Sequence, residues 1–269
     1  LRENKVSVTR NIATEACRQA DNCDDFLARI KRETGLEFET ISSQEEGRLA
    51  ITGCQCLLDE NAPYALVFDI GGGSTELIWS KRGHSGSYEI ADVLSLPFGV
   101  VNLAEHCGTD IIDQNCYETM VRDIAKKLPV FCANNNINGR VQDGLVQMLG
   151  TSGTVTTLGA VHLNLPYYSR SRIDGLELNF EDLSAASRQL TDLDYEGRAA
   201  LPCIGRERAE LVIPGCAILD AICRAWPVGK LRVADRGLRE GMLLELMMAD
   251  GLEVSGNPPA IEMMRGVLQ

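Results

Sequence analysis

Positively charged side chains are scarce in this 269-residue chain: 26 Lys and Arg stand against 38 Asp and Glu, a formal net charge of −12. Sequence-independent binding of nucleic acid needs a broad cationic surface, so this deficit argues against such a function. Long apolar runs are also lacking, because the longest stretch without a charged residue, 144–169, contains several polar side chains. We therefore expect no nucleic-acid or membrane partner, and any anionic ligand must be bound locally.

Histidine and close cysteine pairs are rare as well. The chain has three histidines, far apart in sequence, and its ten cysteines form no C-x-x-C motif. Zinc sites and disulfide scaffolds depend on such spacings, so both are disfavoured. Cysteines in apolar surroundings act as small core residues, and we expect reduced thiols and a cytoplasmic location.

Strand and helix patterns alternate along the chain. The predicted strands are 6–12, 36–41, 64–68, 77–80, 90–96, 146–149 and 230–234. The longer predicted helices are 12–32, 43–58, 113–132, 154–163, 180–190 and 214–226, with a last one ending near 248. Residues 134–139 are predicted to form a loop, and 251–269 a loosely attached tail. Strands that lead into glycine-rich loops predict an α/β sheet whose loops gather at one edge.

The first of these loops joins Asp69 to Glu76 and contains the consecutive glycines Gly71, Gly72 and Gly73, followed by Ser74. Glycines after a buried strand expose backbone N–H groups, an arrangement that suits phosphate. A carboxylate at each end is useful if a divalent cation bridges it to phosphate. The alternative is an ordinary hairpin turn with incidental acids.

A second loop repeats the design at Thr151, Ser152 and Gly153, between a strand and a helix N-terminus. The N-terminus of a helix favours anions, although Ser, Thr and Gly are also common helix caps. Two such loops in one chain indicate a ligand with several phosphates held between them.

Two charged residues near the start of the chain have two interpretations each. Glu46 either closes a capping box with Ser43 or acts as the general base that activates water. Arg18 either lies on a solvated helix face or neutralises phosphate. Further along, Asp235–Arg236 and Arg239–Glu240 read as surface pairs, and Arg170 and Arg172 as a local basic stretch.

Taken together, these motifs resemble the exopolyphosphatase and guanosine pentaphosphate phosphohydrolase (Ppx/GppA) family, in the sugar kinase, Hsc70 and actin superfamily. The resemblance covers nearly the whole chain, in the family's order and spacing. The segments that carry it are 13–18, 41–48, 69–76, 96–100, 150–154, 214–215 and 235–241.

The resemblance implies a removal of terminal phosphates from polyphosphate or from the alarmone pppGpp, with Mg²⁺. By matching positions it implies Glu46 as catalytic base, Arg18 as a phosphate-contacting arginine, and Asp69 and Glu76 as the acids associated with the metal. It also assigns phosphate binding to both loops, through Gly71, Gly72, Gly73, Ser74, Thr151, Ser152 and Gly153. Two rival functions stay open, a non-catalytic sensor of alarmone or polyphosphate and a kinase of the same superfamily.

The implied fold is α/β, of the actin-like, ribonuclease H-like type with two subdomains. Residues 1–48 and 236–269 would form the first subdomain and 49–235 the second, with substrate in the cleft between them. The family's usual first phosphate loop, of the type D-x-G-S-N-S, does not occur before the first predicted strand. We therefore expect this chain to be a fragment with an incomplete first subdomain, prone to form a homodimer through its uncovered sheet edge.

Overall fold

A computed structural model of the chain describes residue 6 and residues 8–84, 86–107 and 113–251. The predicted tail at 251–269 lies outside the described residues except for Gly251. No helix within the described ranges is long and apolar enough to cross a membrane.

The strands form two sheets. Their bounds are β1 Ile12–Ala13, β2 Glu39–Thr40, β3 Tyr64–Ile70, β4 Thr75–Arg82, β5 Tyr88–Leu96, β6 Val146–Thr151, β7 Glu177–Asn179 and β8 Lys230–Ala234. Strands β1 and β2 pair in parallel, and the six others follow the order β5-β4-β3-β6-β8-β7. Strands β3, β6 and β8 run parallel, while β4, β5 and β7 are antiparallel to their neighbours. The sheet is therefore mixed, as the predicted hairpin requires.

Helices connect the strands and cover both faces of the larger sheet. Their bounds are α1 Glu15–Gln19, α2 Cys23–Thr34, α3 Ser43–Cys54, α4 Val100–Cys107, α5 Gln114–Ala125, α6 Pro129–Asn135, α7 Ile137–Gln142, α8 Gly153–His162, α9 Arg170–Ile173, α10 Phe180–Thr191, α11 Tyr195–Ala199, α12 Arg206–Ala209, α13 Val212–Ala225 and α14 Leu238–Ala249. Helices α5, α8, α10 and α13 pack together on one face, and α3 packs on the other and against α14.

Alternation along β3 decides which side chains face which layer. Leu66 and Phe68 belong to the large core, whereas Ala65 and Val67 face the smaller core beside α3. Asp69 continues the face of Ala65 and Val67, so its carboxylate is directed toward α3. Its partner across the hairpin, Glu76, stands on the same face.

The parallel strands place the two predicted loops side by side. β3 pairs with β6 so that Asp69 is opposite Thr151, and β6 pairs with β8 so that Thr151 is opposite Ala234. Because the carboxyl ends of parallel strands meet at one edge, both loops and the start of α14 open into the same region. The prediction that the loops gather at one edge is confirmed.

Several local predictions were wrong. Residues 8–11 form no strand, because the parallel pair with β2 begins only at Ile12. The predicted loop at 134–139 is helical on both sides of Asn136, which alone adopts the left-handed conformation at φ 48°. Helix α13 begins at Val212, before Pro214, since proline is tolerated in a first helical turn.

The predicted capping box at the start of α3 was also wrong by one residue. The cap is Ser42, whose Oγ accepts a hydrogen bond from the Glu45 amide at 3.1 Å. Glu46 therefore takes no part in capping through Ser43, and its carboxylate is available for another contact. The predicted domain boundary at 48–49 falls inside α3, and the division into subdomains stays a prediction.

Two glycines let α3 and α14 pack closely. A Cβ on Gly53 would lie 2.0 Å from the Gly237 carbonyl oxygen, and one on Gly241 would lie 2.0 Å from the Leu49 carbonyl oxygen. Each neighbouring atom is backbone and cannot rotate away. A side chain at either position therefore requires the two helices to separate.

This contact predicts a difference between two substitutions within α3. Gly53→Ala should lower the free energy of unfolding by about 1–3 kcal/mol or more, because it overpacks a backbone contact. Gly47→Ala is the control, since its Cβ would meet only the side chains of Ile78 and Val93, at 3.1 and 3.3 Å, and alanine favours helix by about 1 kcal/mol. Urea denaturation measures both, and equal stabilities of the two variants would contradict the close packing.

Candidate functional site

The glycine loop connects β3 to β4 and supports α4. Gly71 N–H donates to the Ser74 carbonyl at 2.9 Å and closes the turn. The carbonyls of Gly71 and Gly72 accept from Val100 and Val101 at 3.0 and 2.8 Å, and so satisfy amides at the start of α4. Within the described ranges the amides of Gly72 and Gly73 donate no hydrogen bond, which leaves them for a ligand.

The second loop holds a strained residue. Ser152 has φ 95°, in a backbone region that residues other than glycine rarely adopt. This conformation costs roughly 1–3 kcal/mol. Its Oγ is buried and has no hydrogen-bond partner in the described part of the chain. Gly153 starts α8 with open space around it, while Thr151 Oγ1 donates to the Arg236 carbonyl at 2.6 Å. A buried hydroxyl without a partner at a helix N-terminus fits a bound anion.

Arg18 lies among carboxylates from three different elements. Its Nη1 donates to Glu46 Oε2 at 2.8 Å and to the Ile41 carbonyl at 2.9 Å. Its Nε donates to Glu15 Oε2 at 2.9 Å, and Nη2 lies 3.9 Å from Glu76 Oε1. The structure thus brings the predicted base, the predicted arginine and one predicted metal ligand together. The side chains of Arg18 and Glu46 are only 17% and 12% exposed, so the solvated-face interpretation of Arg18 is wrong.

The neighbouring Glu45 has a different environment. Hydrogen bonds from Arg48 and Arg10 lower the pKa of Glu45 to about 2, although burial acts in the opposite direction. Both arginines also pair with Glu245 of α14. Such a carboxylate is a poor proton acceptor, which disfavours Glu45 as a general base.

Burial raises the pKa of two further carboxyl groups in the site. The pKa of Asp69 rises to about 6, because its carboxylate is desolvated and lies near the negative charge of Glu46. The pKa of Glu76, which is 1% exposed, rises to about 7 for the same two reasons. Hydrogen bonds from Ser74 at 2.8 Å and Ser95 at 2.9 Å oppose this rise only partly.

These two acids fit a magnesium ion shared with phosphate. Mg²⁺ is usually held by one or two carboxylates together with water and phosphate oxygens. Asp69 and Glu76 supply two carboxyl groups on one face of the hairpin, and no cluster of three or more potential ligands occurs in the ranges that the structure describes. The residues present therefore fit a shared cation better than a closed protein cage.

Arg208 is a charged residue of the site that no sequence motif had indicated. Arg208, in α12, lines a cavity of about 230 Å³ together with Asp69, Ser152 and Gly153, and lines a second of about 160 Å³ with Gly72. It is exposed and forms no ion pair within the described ranges. The nearest motif in the sequence is Pro214–Gly215, where Gly215 lets α13 approach Thr154. No spacing rule predicts from this motif that Arg208 lies between the two loops.

The basic stretch is tied to the residues after β8. Arg170 pairs with Glu240 at 3.0 Å, and its Nε lies 3.6 Å from Asp235 Oδ2. Glu240 is 4% exposed and accepts the Gly237 amide at 2.9 Å, so the interpretation of Arg239–Glu240 as a surface pair was wrong. Arg172 is exposed and, among the described residues, has no carboxylate partner.

Arg236 does not pair with its neighbour Asp235 either. Its guanidinium forms an ion pair with Asp174, with Nε at 3.0 Å from Oδ2, and Nη1 donates to Cys56 Sγ at 3.2 Å. The surface-pair interpretation of Asp235–Arg236 was therefore wrong. This contact fixes the backbone whose carbonyl accepts from Thr151.

Comparison with known proteins gives consistent matches. A model of the Ppx/GppA phosphatase family matches residues 1–249. Exopolyphosphatase 1 of Mycobacterium tuberculosis is 29% identical over 243 residues, which cover 89% of this chain and 67% of that protein. Retrograde regulation protein 2 of Saccharomyces cerevisiae is 27% identical over 249 residues, 88% of this chain and 41% of that protein.

A solved structure agrees with the sequence matches. The Ppx/GppA family member of Aquifex aeolicus superposes with a TM-score of 0.76 at 29% identity, over 94% of this chain and 78% of that one. The predicted actin-like α/β fold is confirmed by this likeness.

The raised pKa values predict that the substrate-free chain loses stability as the pH rises from about 5 to 8. Folded Asp69 and Glu76 keep their protons up to about pH 6 and 7, whereas in the unfolded chain they titrate near pH 4. The folded state binds more protons in this window, so raising the pH favours unfolding. Glu76→Gln should flatten this dependence and stabilise the chain at pH 8 by roughly 3–4 kcal/mol, because the pKa rises from 4.5 to about 7 at about 1.4 kcal/mol per pKa unit.

Urea denaturation at pH 5 and pH 8 measures the effect. The exposed Glu89→Gln is the control and should keep the slope of the parent. The same pH dependence in the parent and in Glu76→Gln would contradict the buried, protonated state of Glu76.

Proposed function

The chain belongs to the Ppx/GppA phosphatase family, and from this we propose that it is a phosphohydrolase that removes terminal phosphates from inorganic polyphosphate. The observation that carries the proposal is the contact of Glu46 with Arg18 beside the glycine loop. This contact brings a carboxylate that can accept a proton and a guanidinium close to the backbone amides of the glycine loop. The name of the mycobacterial relative, exopolyphosphatase 1, supports the same substrate.

In the proposed reaction the two loops hold the terminal phosphates. The amides of Gly72 and Gly73, which donate no hydrogen bond in the described ranges, would contact one side of the phosphates, and the N-terminus of α8 with Ser152 Oγ would contact the other. Arg18 and Arg208 would neutralise phosphate oxygens. These donors stabilise charge that develops as the terminal phosphoryl group separates from the chain.

Glu46 orients the attacking water and accepts its proton. The water oxygen forms a bond to the terminal phosphorus, the anhydride P–O bond breaks, and the products are inorganic phosphate and a polyphosphate one unit shorter. In the substrate-free state Glu46 pairs with Arg18, so phosphate must take its place on the guanidinium before Glu46 is free to act. Mg²⁺, held by Asp69 and Glu76, would supply positive charge to phosphate oxygens.

The alarmone pppGpp is a second candidate substrate of the same chemistry. It also presents a terminal phosphoanhydride, so the same two loops and the same base would serve it. A phosphate-release assay that compares long-chain polyphosphate, pppGpp and ATP, with and without Mg²⁺, tests both substrates.

A non-catalytic sensor is the alternative that one observation favours. The yeast relative is named a regulation protein and not a phosphatase. Tight binding of polyphosphate without phosphate release by the parent chain would support the sensor and contradict the hydrolase.

For the catalytic base we predict a contrast between two adjacent glutamates. Glu46→Gln should lower kcat by about 10²–10⁴-fold, because an amide cannot accept the proton of water, while KM stays within severalfold. Glu45→Gln is the control, since Glu45 pairs with Arg10 and Arg48 away from the glycine loop. Steady-state phosphate release measures both, and an unchanged kcat in Glu46→Gln would remove Glu46 from the mechanism.

For the metal we predict that Asp69→Asn raises the Mg²⁺ concentration needed for half-maximal activity more than it raises KM for polyphosphate. A hard cation prefers an anionic oxygen, which the amide lacks. Mg²⁺ titrations of phosphate release measure the effect, with the exposed Asp59→Asn as control. Coincident titrations of Asp69→Asn and the parent would contradict a metal role for Asp69.

A further inference from the structure

Glu15 is a charged residue of the cleft to which the motifs assigned no role. It is the first residue of α1 and lies one helical turn before Arg18. Its side chain is 17% exposed, as little as that of Arg18. Glu15 Oε2 accepts from Arg18 Nε at 2.9 Å, and Oε1 accepts from Gln19 Nε2 at 2.9 Å.

Glu15 also packs against the glycine loop. A Cβ on Gly73 would stand 3.1 Å from Glu15 Cγ, so the missing side chain of Gly73 makes room for Glu15. The Gly73 carbonyl accepts from Asn102 Nδ2 at 2.8 Å, which fixes this part of the loop. Glu15 is thus held between Arg18 and a backbone segment that itself has little freedom.

Glu15 and Glu46 contact different nitrogens of the Arg18 guanidinium. Nε is held by Glu15, and Nη1 is shared between Glu46 and the Ile41 carbonyl. Nη2 is buried and makes no hydrogen bond within the described ranges, although it lies 2.8 Å from Glu15 Oε2 and 3.9 Å from Glu76 Oε1. Glu15 therefore holds the Nε and Nη2 side of the guanidinium, and the contact with Glu46 is confined to Nη1.

We propose that Glu15 is a positioning residue, which keeps Arg18 in place when a phosphate oxygen replaces Glu46 on the guanidinium. This inference rests on the proposed function of the same cleft. Once Glu46 is released, the Ile41 carbonyl is the only other hydrogen-bond acceptor seen for the Arg18 side chain in the described part of the chain, and Glu76 lies 3.9 Å away. A free arginine side chain has about 2 kcal/mol of rotamer entropy, so an anchor at Nε lowers the cost of ordering Arg18 around phosphate.

A double-mutant cycle on KM tests the proposal. Glu15→Ala should raise KM for polyphosphate about 3- to 30-fold with a smaller change in kcat, the range that coupling between contacting residues usually spans. In an Arg18→Ala background the same substitution should change KM less than twofold, because Glu15 acts through Arg18. Glu15→Gln, which keeps an oxygen acceptor, should fall between the parent and Glu15→Ala.

Gln19→Ala is the control, since Gln19 is exposed and contacts the other oxygen of Glu15. It should leave KM unchanged. Equal effects of Glu15→Ala in the parent and Arg18→Ala backgrounds would overturn the proposal, because Glu15 would then act independently of Arg18.

A second measurement does not depend on turnover. In nitrogen-15 NMR spectra of the folded chain with added tripolyphosphate, exchange of the Arg18 Nε proton with water should be slow in the parent and in Gln19→Ala, and fast in Glu15→Ala. If the parent releases no phosphate but shows this pattern, the proposed hydrolase function fails and the anchoring by Glu15 stands. Slow exchange in Glu15→Ala would overturn the anchoring whatever the activity.

Discussion

The site depends on an excess of negative charge around one guanidinium. Arg18 contacts Glu15 and Glu46 and approaches Glu76, and Asp69 lies near enough to Glu46 for its pKa to rise. One cation cannot neutralise four carboxyl groups, and burial together with the charge of Glu46 raises the pKa of Asp69 to about 6 and that of Glu76 to about 7, so a bound cation is favoured. The same excess explains why Glu46 and Arg18 pair with each other in this structure. A bound Mg²⁺ would supply the positive charge that this group of carboxylates lacks.

Close backbone packing fixes this charged cluster in space. The carbonyls of the glycine loop hold the start of α4, and a Cβ on Gly99 would lie 2.3 Å from Gly72. Gly215 lets α13 approach the first turn of α8, where a Cβ would lie 2.3 Å from Thr154 Oγ1. The two loops that we propose to bind phosphate are thus supported by helices, which favours preorganised donors over mobile ones.

The sequence predicted the larger elements and the two loops, because glycine runs after buried strands leave a local signal. It predicted the meeting of Arg18 with Glu46 only through the family resemblance. It missed Glu15 and Arg208, because each reaches the cleft through tertiary packing: Glu15 through the space beside Gly73, and Arg208 through the turn between α12 and α13. The cap at Ser42 was misplaced because Ser42 and Ser43 both precede a glutamate by three residues, and only backbone geometry separates them.

The most direct test of the uncompensated charge is a carbon-13 NMR titration of the side-chain carboxyl groups in the substrate-free chain. Burial and the nearby charge of Glu46 predict that two carboxyl groups titrate near pH 6 and 7, and that Mg²⁺ with tripolyphosphate moves both titrations below about pH 5. Assignment by Asp69→Asn and Glu76→Gln identifies the two signals. Titration of both groups at their ordinary values near pH 4, with no response to Mg²⁺ and tripolyphosphate, would contradict the account.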